Sequence, residues 1–116
     1  MNLRQAFIAA YYYLEVYYNE TISEDILDII SSMNPFLWAD GGSADPAAEH
    51  DWIEVAKNIM TGDQMDSQQA FQVMYEYVKF FKTEFGFDFD RIMEGLLKKT
   101  HNDPEWLKCV AAAVEM

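Results

Sequence analysis

One hundred and sixteen residues, 51% of them hydrophobic and one of them cysteine, make a single domain. A chain this long buries about two-thirds of the surface it would expose unfolded, with no need of a disulfide or structural metal. A net charge of −12 repels phosphate backbones, so direct binding of DNA or RNA is disfavoured and a basic protein is the natural partner.

Residues 2–19 read as a first helix, with Leu3, Phe7, Ala10, Leu14 and Tyr17 or Tyr18 recurring on one face. The tyrosines at 11, 12, 13, 17 and 18 cannot all share that face, because three consecutive positions fan over most of the circumference. One or two must therefore meet solvent or a partner, where tyrosine gives rigid contact area at low entropic cost. The segment has neither the basic start nor the cleavage site of a signal peptide. Its apolar run, Ala6 to Leu14, is far short of the roughly 20 residues that a membrane-spanning helix needs. With Cys109 unable to pair internally, a cytoplasmic location is expected and no membrane association.

Ser23, followed by Glu24 and Asp25, caps a short second helix with Ile26, Leu27, Ile29, Ile30 and Met33 on its apolar face. Asn34–Pro35 ends it, since proline has no amide hydrogen and pushes the preceding residue out of helical geometry. A long loop follows, in which Asp40, Gly41, Gly42 and Ser43 lie beside Phe36, Leu37 and Trp38. A loop of this length carrying aromatics is packed under helices or used for binding. Its DGGSAD run is no calcium loop, because Gly42 and Ala44 fall where oxygen ligands are required.

Asp45–Pro46 starts the third helix, which is expected to run to about Thr61 and close at Gly62. Ala48, Trp52, Val55, Ile59 and Met60 make its inward stripe, and Glu49 and Asp51 sit near the positive end of its dipole. Asp66–Ser67 caps a fourth helix over 67–85, whose stripe of Phe71, Met74, Tyr75, Val78, Phe81 and Phe85 marks it as the central one; Gly86 ends it. Asp88 or Asp90 opens a fifth, with Phe89, Ile92, Met93, Leu96 and Leu97 packing. Asn102-Asp103-Pro104 opens a last helix in which Trp106, Leu107, Val110 and Val114 are apolar. The expected fold is all-α: a single-domain bundle of five to six helices with one long loop between helices two and three.

Between Gln5 and Glu54 there is no Lys or Arg, while Glu15, Glu20, Glu24, Asp25, Asp28, Asp40, Asp45, Glu49, Asp51 and Glu54 all fall there. Solubility alone does not require one half of a chain to exclude positive charge. No phosphate loop, CxxC pair, HExxH or GxSxG is present, Cys109 lies among apolar residues as a buried thiol would, and His50 has no second histidine near it. A non-enzyme without metal or cofactor is expected.

The run NPFLWADGGSADPAAEHDW at 34–52, behind an aromatic-rich first helix and ahead of QAFQVMYEYVKFFKTEFGFDF at 69–89, resembles a family of small acidic immunity proteins. These are encoded beside bacterial contact-dependent growth inhibition toxins and related polymorphic toxins. The likeness spans about Leu3 to Asp90 and rests on helix caps and packing residues. It implies a protein that binds one cognate toxin domain in a 1:1 complex and blocks it. The toxin would be a nuclease, a transfer-RNA nuclease being one form, with a host translation factor as a conceivable third member. The contact residues expected from charge and aromatic character are Tyr13, Tyr17, Glu20, Glu24, Asp25, Trp38, Asp40, Asp45, Glu49 and Asp51. The alternative is a helical adaptor that binds a partner helix through exposed tyrosines.

Overall fold

The computed structural model describes residues 1–21, 30, 46–85 and 90–115, with side chains for all of these except 17–21, 46–49, 81–82, 85 and 90–92. The expected second helix, the loop with its contact residues, and the Gly86 stop lie outside the described residues, apart from buried Ile30. Five helices are seen: α1 (Leu3–Thr21), α2 (Pro46–Lys57), α3 (Ser67–Phe85), α4 (Asp90–Lys99) and α5 (Pro104–Val114). No strand occurs among the described residues, and the protein is all-α.

Side-chain caps set three of the helix starts. Asn2 and Gln5 exchange hydrogen bonds at the head of α1, the Asn2 amide donating to Gln5 Oε1 at 2.9 Å and the Gln5 amide to Asn2 Oδ1 at 2.8 Å. Asp66 and Gln69 repeat this reciprocal cap before α3, at 3.0 and 2.7 Å. Asp103 Oδ1 accepts from the Glu105 amide at 3.1 Å, with Pro104 at the first helical position of α5. The chain start is held against the segment before α3 by two bonds of 2.8 Å, one each way between the backbones of Met1 and Met65.

α1 differs from the one-faced helix that its sequence suggests. Every residue from Ala6 to Tyr11 is buried, followed by Tyr13 and Leu14. A helix with one side in water buries only three or four positions per two turns, so this segment is enclosed on nearly all sides. Ala6, Ala9 and Ala10 permit the enclosure, because a methyl group lets neighbouring backbones approach closely. α1 packs most extensively on α5 and also against α2 and α3. The expected centre, α3, does touch each of the other four described helices, so the two helices share that role.

Three stripes are rotated from their expected positions. On α3 it is Tyr77 that is fully buried, beside Ala70, Phe71, Val73, Met74 and Val78, while Tyr75 is half-buried. On α5 the inward face is Trp106, Cys109 and Ala113, and Leu107 and Val114 are 46% and 49% exposed. On α4 Leu96 is buried and Leu97 is 64% exposed. α2 also ends earlier than expected, at Lys57. The Asn58 and Ile59 amides bond three residues back, to Val55 and Ala56, and this tightening closes the helix before Gly62 reverses the chain at φ 112°.

Two tryptophans lock the helices together. Trp52 of α2 meets Phe7 of α1 and Tyr77 of α3 edge-to-face, each at a ring separation of 5.5 Å, and its Nε1 donates to the Leu3 carbonyl at 3.2 Å. Trp106 of α5 meets Tyr13 of α1 at 5.5 Å and Phe71 of α3 at 5.4 Å in the same geometry, and its Nε1 donates to the Ser67 carbonyl at 3.0 Å. Edge-to-face pairs add about 0.5–1.5 kcal/mol each beyond the area they bury.

Candidate functional site

An open groove of about 430 Å³ lies between the end of α2, with the turn after it, and α3. Its apolar floor is Val55 and Ile59 from the α2 side and Phe80 from α3, all half-buried. Gln72, Glu76, Lys79, Thr83 and Glu84 form the α3 rim. Gln72, Glu76, Lys79 and Thr83 recur at the spacing of one α3 face, opposite Met74, which enters the core. The Thr83 hydroxyl donates to the Lys79 carbonyl at 3.1 Å, and the Asn58 amide nitrogen to the Glu54 carbonyl at 3.4 Å. A shallower recess of about 260 Å³ lies on the other side of Gln72, between Phe71, Tyr75, Leu97 and His101.

Sequence-derived contact residues reach this groove along α2. Asp51 is half-buried and precedes Val55 by one helical turn, so it heads the stripe that continues into the groove floor. Glu49 lies on the first turn of the same helix, its side chain outside the described residues. Tyr17 and Glu20 fall on the last turns of α1, likewise without described side chains, and Glu24, Asp25, Trp38, Asp40 and Asp45 lie outside the described residues. Nothing in the described structure gathers all ten into one surface.

Tyr13 is the correction. It is 2% exposed, and its hydroxyl donates to Asp103 Oδ2 at 2.6 Å, ninety residues along the chain. A ring held between Trp106 and Phe71 with its oxygen bonded to a carboxylate is a core element, unavailable to a partner in this fold. Tyr11 is buried as well, and Tyr12 half-buried, while the side chains of Tyr17 and Tyr18 lie outside the described residues.

The titratable groups nearby are held neutral. Burial, a hydrogen bond to Glu15 and that carboxylate's charge push the Tyr11 hydroxyl up to about 12. Burial, then Glu15 and Cys109, raise Tyr12 too. Burial, with Glu105 and Asp103 adding to it, lifts the Cys109 thiol to about 11, so at neutral pH it is a protonated, small apolar group. Among the described residues no three His, Cys, Asp or Glu side chains converge as metal ligands would, and no helix is long and apolar enough to cross a membrane.

The groove residues of α3 were missed in the sequence, although one signal was there. Phe80 lies beside Lys79 with Glu76 and Glu84 one turn away in either direction, while following the buried Val73 and Tyr77 at i+7 and i+3, so it stands at the border between the core and the polar face. Against known proteins, the chain matches no family model, no curated protein and no solved structure.

Proposed function

We propose that this chain is a non-catalytic binding protein that captures a cationic protein, and that the captured protein is a toxin domain which it neutralises as an immunity protein. The observation that carries the reading is the run from Gln5 to Glu54, with ten carboxylates and no Lys or Arg, whose last members, Asp51 and Glu54, lie on α2, the helix that lines one side of the groove. A nuclease holds its substrate with cationic side chains. Carboxylates placed on that surface speed encounter and exclude the phosphates, and the groove floor supplies the apolar contact that charge alone does not. Glu49 and Asp51 lie on α2, the helix whose later residue Val55 lines the groove. Tyr17, Glu20, Glu24, Asp25, Trp38, Asp40 and Asp45 extend the same acidic, aromatic surface in this reading, and Tyr13 supports it from within. The complex is 1:1, and a host translation factor joins it if the toxin is a transfer-RNA nuclease.

Replacing both Glu49 and Asp51 by lysine tests this. The association rate with the toxin should fall at least tenfold at low salt, with far-ultraviolet circular dichroism unchanged. An unchanged rate in a folded variant removes α2 from the interface.

The groove floor of Val55, Ile59 and Phe80 favours a second reading, an adaptor that seats a partner helix there instead of on Tyr11 or Tyr13, which are buried. Expressing the protein encoded beside this chain separates the two. Lethality rescued by co-expression supports immunity, and harmless expression supports the adaptor.

A further inference from the structure

α5 is apolar on both sides, yet the fold covers one. Trp106, Cys109 and Ala113 enter the core, while Leu107 and Val114 are 46% and 49% exposed and Ala111 between them is exposed too. These three recur at i, i+4 and i+7, which is the seam spacing of a helix that packs against a second helix. With Leu97, they include every exposed large hydrophobic residue among those described.

We infer that the outer face of α5 is a self-association surface on which two copies of the chain pair antiparallel through Leu107, Ala111 and Val114. Charge decides the occupant. From residue 90 onward the chain holds four Lys or Arg against five Asp or Glu, while the first 89 residues hold four against fifteen. Two copies therefore meet with less repulsion through this segment than through the first 54 residues, which hold one Lys or Arg against ten Asp or Glu, and a cationic partner is drawn to those first 54.

The flanking charges are self-complementary. Lys108 and Glu115 occupy equivalent positions one heptad apart beside the stripe, and reversing one helix against another brings Lys108 of each copy alongside Glu115 of its mate. Ala111, near the middle, lets the two backbones approach. An 11-residue helix is about 16 Å long, too short to reach the roughly 800 Å² per partner of a stable complex, so the pairing is weak and belongs to high protein concentration. Salt should strengthen it, because screening removes the repulsion between two highly acidic molecules while leaving the apolar contact intact. Capture of a cationic partner responds to salt in the opposite direction.

Sedimentation equilibrium from micromolar to millimolar protein, at low and high salt, tests this. The wild type should dimerise with concentration and do so more tightly at high salt, and Leu107→Glu with Val114→Glu should stay monomeric at unchanged helicity. A wild type monomeric throughout, or a folded double variant that dimerises as well as the wild type, overturns the proposal. Independently of those substitutions, Ala111→Cys should cross-link the two copies on mild oxidation, and failure to cross-link at a concentration where dimer is seen also overturns it.

Discussion

Trp52 and Trp106 are the two largest fully buried side chains, and each ties α1 to α3 and to one further helix by the same means: two edge-to-face rings and one indole bond to a backbone carbonyl. They differ in what surrounds them. The Trp52 indole donates to a backbone carbonyl of α1, whereas a carboxylate enters the Trp106 cluster, Asp103 accepting from Tyr13 on one oxygen and from the Glu105 amide on the other. Lys99 Nζ stands 3.9 Å from the first of these oxygens. The second cluster is thus held in addition by a carboxylate that also starts a helix. The first joins α2 to α3, the two helices that line the groove.

Truncation of the indoles gives the largest expected effect. Trp52→Ala and Trp106→Ala should each destabilise the fold by about 3–5 kcal/mol, read from urea unfolding. Trp52→Phe should fold and lose partner affinity, while Trp106→Phe should fold and keep it. Equal affinities for these two variants would break the link between the Trp52 cluster and the groove.

Asp103→Ala comes next. It removes a helix cap and the acceptor of a buried hydroxyl together, at about 2–4 kcal/mol, and Tyr13→Phe should recover part of that loss in the double variant because no hydroxyl is then left unpaired. The Trp52 indole, by contrast, donates to the Leu3 backbone carbonyl, an acceptor that no side-chain substitution removes.

Alkaline pH separates the two halves more gently. A thiol raised from 9.0 to about 11 in the folded chain, and a tyrosine raised from 10.0 to about 12, both favour the protonated form on folding. The stability they contribute is complete below pH 9 and is lost as pH rises, through 9 to 11 for Cys109 and 10 to 12 for Tyr11. Cys109→Ala should delay the first part of that loss in an alkaline melt. In the native wild type, disulfide-exchange labelling of Cys109 at pH 8 should wait on opening of α5.

The smallest effect belongs to the turn before Asp103. Thr100 has φ 63°, a left-handed conformation costly for a β-branched residue, and its Oγ1 accepts from the Asn102 amide at 3.3 Å. Thr100→Gly should relieve the strain and stabilise by about 0.5 kcal/mol, the gain reduced by glycine's backbone entropy. A loss of stability would mean that the hydroxyl bond outweighs the strain.

The sequence carried the helix starts because caps are local: Asp66, Pro46 and the Asp103–Pro104 pair announce themselves within a few residues. It did not carry helix rotation. Periodicity assigns an inner face when a helix has polar residues to turn outward, and Ala6–Tyr11 and Cys109–Val114 have none, so Cys109 and Ala113 were placed by their neighbours. Tyr13 was misplaced because its partner, Asp103, is distant in sequence and looks like an ordinary cap. On the candidate site, charge pointed to Glu49 and Asp51 on the helix that lines the groove, while Phe80 and its rim emerged only once α2 and α3 were set side by side.

The central claim is that a cationic protein docks on the acidic half and the α2–α3 groove. Hydrogen–deuterium exchange on the chain with and without its captured partner tests it most directly. Slowed exchange in α2 and along the Gln72–Glu84 face of α3, with α4 and α5 unchanged, is the predicted result. Protection confined to α4 and α5, with α2 exchanging as in the free protein, would contradict it.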